Sequence, residues 1–117
     1  MNNINKSEQF EQIYISYYSI MKRFAQEYVV REEDAENIVQ DVFLDVWEKK
    51  LFLISHSNIF SYLFTSVKNR CLDFLRHKMV VHKTVDKLQE QHFQVLQMKL
   101  YSLEEFNDKV FSEPDIE

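Results

Sequence analysis

Apolar positions in the first thirty residues fall at three- and four-residue steps: Phe10, Ile13, Tyr14, Tyr17, Met21, Phe24 and Tyr28 share one helical face. Ser7 is the expected N-cap, its hydroxyl accepting from an otherwise unpaired amide. VVREED breaks the pattern, and a second helix is predicted in DAENIVQDVFLDVWEKK, with Ala35, Ile38, Val39, Val42, Phe43 and Val46 facing inward. Its acids Glu32, Glu33, Asp34 and Glu36 crowd the start and Lys49 and Lys50 the end, as the helix dipole favours. LFLISHSN reads as a connection in which Ser57 or Asn58 caps a third helix, from about Ile59 to about Lys83. That helix is expected to bury Phe60, Leu63, Phe64, Val67, Cys71, Phe74 and Leu75. Beyond it the spacing of Leu88, Val95 and Leu100 is less regular. SLEE at Ser102–Glu105 has capping-box form and predicts a short helix ending before Pro114, with SEPDIE as linker or frayed terminus. The expected fold is all-α: a compact three-helix bundle over residues 1–83 and a looser, partly helical C-terminal appendage over 84–117.

Composition supports this reading. The 117 residues include no glycine and a single proline, which disfavours the hairpins and bulges of a β fold. No run of about 18 apolar residues is present for a membrane span, and MNNINKSEQF lacks the apolar centre of a secretion signal. The lone Cys71 has no partner for an internal disulfide, as expected of a chain in a reducing cytoplasm. Charge is the informative quantity. The chain carries a net charge of −5, yet residues 66–83 hold five cations (Lys68, Arg70, Arg76, Lys78, Lys83) against Asp73 alone. Residues 1–65 sum to −4 and residues 84–117 to −5. Segregation of this kind builds an anion-facing surface that the net charge hides.

Catalytic and metal chemistry finds little support. Asp41, Asp45 and Glu48 share a helical face, but the Glu-x-x-His partner of a di-metal bundle is missing, so a solvated or partner-facing acidic surface is expected. His77 and His82, five apart, are poorly placed for paired ligation on a helix. Cys71 sits on the apolar stripe, where a buried small hydrophobe is expected rather than a nucleophile. No phosphate-cradling glycine loop exists, and no nucleophile, base and oxyanion donor assemble, so neither an enzyme nor a cofactor is indicated. Two features remain. Leu44 and Trp47 lie off the buried stripe of the second helix, either under the appendage or as a partner-binding patch with an acidic rim. The third helix carries a polar face of Ser61, Tyr62, Thr65, Asn69 and Arg70, followed by Arg76 and Lys78. That face is either solvated or suited to single-stranded nucleic acid, with a ring for stacking, amides and hydroxyls for base edges and cations for phosphates.

DAENIVQDVFLDVWEKK, followed by IFSYLFTSVKNRCLDFLRHK, resembles region two of the ECF (extracytoplasmic-function) sigma factors of the sigma-70 family, nearest to the branch abundant in Bacteroides-like bacteria. The likeness runs back through FEQIYISYYSIMKRFAQEYV and covers roughly Phe10 to Lys78. The resemblance implies a cytoplasmic bacterial protein without catalytic activity that binds core RNA polymerase and the minus-ten promoter element. The second helix would dock on the clamp helices of the largest polymerase subunit through Gln40, Asp41, Phe43, Leu44 and Trp47, although Phe43 also lies on the buried stripe. The non-template strand would be held by loop residues Ser55, His56, Ser57 and Asn58 and by Ser61, Tyr62, Thr65, Lys68, Asn69, Arg70, Arg76 and Lys78. A flipped base would enter a pocket formed mainly by the loop, and a membrane-anchored anti-sigma factor is a further implied partner. Members of the family carry a second, helix-turn-helix domain for the minus-thirty-five element. This sequence reaches SEPDIE without that motif, and the expectation is a piece of a longer protein, with a protein of region two alone as the alternative. The rival readings are a helical interaction module that binds no DNA and an enzyme built on a helical bundle.

Overall fold

The computed structural model describes residues 5–53, 56–85 and 90–111; the side chains of residues 53, 56, 57, 82–85, 90–92, 110 and 111 lie outside the described set. Every regular element among the described residues is helical: α1 (Lys6–Val29), α2 (Glu32–Glu48), a 3-10 turn (Leu51–Leu53), α3 (His56–Val85) and α4 (Glu90–Phe111). The chain divides inside α3 into two compact units, Met1–Cys71 and Leu72–Glu117.

In the first unit, α1 is capped by Asn5 rather than Ser7. The Asn5 side chain accepts from Glu8 N at 2.8 Å and the Glu8 carboxylate accepts from Asn5 N at 3.3 Å, closing a capping box. Ile13, Met21, Ala25 and Val29 form its buried row. All six positions expected to face inward on α2 are buried, Ala35, Val39, Val42 and Val46 completely. Rings close the space between the helices: Phe43 meets Tyr14 edge-on at 5.1 Å and Phe24 packs on Phe64 of α3 at 4.6 Å. Lys22 of α1 donates to Glu32 at 2.7 Å and Glu36 at 2.9 Å at the start of α2, tying the helices at the surface. These bonds hold the Lys22 pKa above its ordinary value and the Glu32 pKa below its own.

A chain without glycine must turn its corners with other residues. Val30 takes φ 71°, ψ −61°, and Arg31 N donates to Val29 O at 2.7 Å, a γ-turn with positive central φ that delivers the chain into α2 after one residue. Lys50 takes φ 59° just past α2, in the left-handed position that commonly ends helices. A β-branched residue pays the largest steric cost at positive φ. Val30→Gly is therefore expected to stabilise the chain by about 1 kcal/mol, net of glycine's larger unfolded-state entropy. A rise in the urea midpoint at constant slope would show it, and a fall would place the tolerance elsewhere.

α3 starts earlier than its apolar spacing suggests, so Ser57 and Asn58 lie inside the helix instead of capping it. Ile59, Leu63, Val67 and Cys71 are buried in the first unit, and Lys68 with them. Phe60, expected in the core, is 39% exposed, its ring parallel to Phe64 at 6.0 Å. In the second unit Leu72 and Leu75 of α3 and Leu103 of α4 are buried. Here the structure departs from the short helix expected at SLEE: α4 runs 22 residues and Ser102 sits within it. Arg76 of α3 donates through Nε and Nη2 to Glu104 Oε2 of α4, at 3.2 and 3.0 Å.

Candidate functional site

α2 has two sides of opposite character. Val39, Val42, Phe43 and Val46 are buried, whereas Gln40, Asp41, Leu44 and Trp47, one helical face, are exposed. Trp47 is 42% exposed and is nonetheless held in place, stacked on Phe52 at 5.6 Å and edge-on to Phe10 at 5.2 Å. With Leu44, Ser7 and Phe10 it lines an open apolar groove of about 390 Å³. A ring already fixed on one side and open on the other loses little freedom when a partner covers it. Of the residues expected to dock, Phe43 is corrected to core: it is 2% exposed, edge-on to Phe10 and Tyr14 and tilted against Tyr18. Its alternative reading as a stripe residue is the one observed.

α3 offers a polar stripe. Asn58, Tyr62, Thr65 and Asn69 recur at steps of four, three and four, with Ser61 exposed beside them. Arg70 leaves this stripe for α2, with Nη2 3.1 Å from Asp45 Oδ2 and Nη1 3.8 Å from Asp41 Oδ2. The guanidinium is 41% exposed, so the pairs contribute up to about 1 kcal/mol and mainly fix its direction. Lys68 is corrected: expected at the strand surface, it is 5% exposed and donates to Asn69 Oδ1 at 2.7 Å. Its position follows the buried side of α3, between Val67 and Cys71, and burial lowers its pKa. In the second unit Arg76 is exposed and paired with Glu104, and Lys78 lies over the Phe74 ring, 5.4 Å from its centroid. Ser55 and the side chains of His56 and Ser57 fall outside the described residues.

Sequence spacing missed three participants. Ser7 and Phe10 join the groove because the start of α1 passes the end of α2, an encounter no local pattern encodes. Asp45 was legible only as part of an acidic face, not as the Arg70 partner. Cys71 is buried and its thiol is pushed up to about 12 by burial, which keeps it protonated and unreactive at neutral pH. Among the described residues no three His, Cys, Asp or Glu side chains gather as a metal site, and no helix is long and apolar enough to cross a membrane.

Neither the curated proteins nor the solved structures yield a match to this chain. The family model of sigma-70 region 2 matches residues 13–80, from the buried row of α1 through α2 to the second half of α3, and so takes in the exposed face of α2 and the polar stripe of α3, while Ser7 and Phe10 of the groove lie before it. Those 68 residues are more than half of the 117, and the chain belongs to the sigma-70 region 2 family, a domain of RNA polymerase sigma factors.

Proposed function

We propose that this domain serves an ECF-type sigma factor, docking on core RNA polymerase through α2 and helping to open the minus-ten element by holding its non-template strand on α3. One observation carries the reading: the unit made of α1, α2 and the first half of α3 keeps an apolar groove around an anchored, exposed tryptophan and a separate polar stripe. Gln40, Asp41, Leu44 and Trp47 form the docking face. Asn58, Ser61, Tyr62, Thr65 and Asn69 are the strand face, with Arg70, Arg76 and Lys78 as its cations and Ser55, His56 and Ser57 as further contributors. Stacking on Tyr62 with amide and hydroxyl contacts offsets the few kcal/mol that extruding a base costs. The acidic surroundings of the docking face suit a basic partner surface, and Arg70, Arg76 and Lys78 suit phosphates. Binding, not catalysis, is the proposed role, in the bacterial cytoplasm and under restraint by an anti-sigma factor.

The test is co-elution of the full chain with bacterial core RNA polymerase, followed by titration of that complex with single-stranded minus-ten oligonucleotides of varied sequence. The expected result is a stable complex whose strand affinity falls with salt and favours one sequence. Polymerase binding with strand affinity indifferent to salt and sequence would favour a protein-interaction module that binds no DNA.

A further inference from the structure

Among the described residues Lys68 is the one charged side chain that is buried, and it stands next to Asn69, exposed on the polar stripe. The Lys68 ammonium donates to Asn69 Oδ1 at 2.7 Å. An ammonium carries three donors and no lone pair, so only the oxygen of the amide can face it. A neutral asparagine side chain otherwise turns to suit its ligand, offering oxygen or nitrogen with equal ease.

We propose that Lys68 is a positioning residue that sets the base preference of Asn69, holding the amide so that its Nδ2 group is what a nucleotide meets. The proposal rests on the reading of α3 as the promoter-strand surface and adds to it a specificity device. Where it meets the C6 or C4 substituent of a base, an N–H donor suits guanine O6 and thymine O4 and opposes adenine N6 and cytosine N4. The Asn69 position is therefore a keto-selecting one. Burial of Lys68 serves this role better than a phosphate contact: a phosphate-binding lysine must reach solvent, and one that holds a neighbouring amide must not. Burial also limits the water that competes with Oδ1 for the Lys68 ammonium.

The experiment uses the full chain bound to core RNA polymerase and a pool of single-stranded oligodeoxynucleotides randomised over the minus-ten segment. Base enrichment and the salt dependence of affinity are both read. Wild type is expected to favour guanine or thymine over adenine and cytosine about tenfold at one position. Lys68→Met, which keeps the volume and removes the donor, is expected to cut that preference to about twofold with the salt slope unchanged. In an Asn69→Ala background Lys68→Met is expected to add nothing, because the group it positions is gone. Asn69→Asp gives a second route should Lys68→Met not fold: its carboxylate accepts from Lys68 and shows only oxygen to the strand, so the preference is expected to invert toward amino bases. Undiminished keto preference in Lys68→Met or in Asn69→Asp overturns the proposal. So does a uniform loss of affinity in Lys68→Met with a salt slope smaller by about one, the signature of a phosphate contact. Failure of the wild-type complex to bind any strand would overturn the functional reading itself, a result the variants cannot mimic.

Discussion

Phe43→Ala is expected to cost about 3–5 kcal/mol of stability, a large part of the 5–15 kcal/mol typical of a whole domain. Phe43 is 2% exposed and its ring meets Phe10 and Tyr14 edge-on and Tyr18 at a tilt, so truncation removes several aromatic contacts and leaves a cavity between α1 and α2. The neighbouring Leu44 is the control. It is 52% exposed on the open face of the same helix, and Leu44→Ala is expected to cost less than about 1 kcal/mol. Urea denaturation of the full chain compares the two. Equal losses would mean that the division of α2 into a core side and an open side is mistaken.

Trp47→Ala is expected to reverse that pattern. Trp47 is 42% exposed, and its stacking on Phe52 and edge contact with Phe10 are worth about 1–2 kcal/mol to the fold. Its larger expected effect is on polymerase affinity, where loss of a proposed central aromatic anchor would cost about 2 kcal/mol or more, roughly thirtyfold in Kd. Two energies of different size from one residue separate a binding role from a structural one. Equilibrium titration with core RNA polymerase measures the first, and thermal melting followed by circular dichroism the second. Trp47→Phe keeps a ring against Phe52 and is expected to recover most of the lost affinity. A Trp47→Ala chain that melts early and binds normally would make Trp47 a packing residue.

Much of the fold was legible because helices α1 and α2 bury single stripes. The rows led by Ile13 and Ala35 repeat at helical steps over many turns, and period alone identifies them. Where residue type competed with position, type misled. Lys68 has the side chain of a surface cation, yet it lies among Val67, Cys71 and Leu72 on the buried side of α3. Phe60 was read as core although its stacking on Phe64 leaves much of the ring open. Two misses had a readable signal. Asn5 is followed three residues later by Glu8, the spacing of the capping box that Ser7 cannot form with Phe10. Phe93, Leu96, Leu100 and Leu103 step by three, four and three through α4, a stripe obscured by weighing the exposed Val95 in its place. The groove was not legible, since it arises where the start of α1 meets the end of α2, and sequence spacing carries no information on that meeting.

The chain contains one tryptophan, so a 5-fluorotryptophan label reports on Trp47 alone. Fluorine NMR of the labelled chain during titration with core RNA polymerase asks directly whether the α2 groove is the docking face. The account predicts that the single resonance shifts and broadens in proportion to the complex formed. A chain that co-elutes with the polymerase while its Trp47 resonance keeps its free position would contradict it.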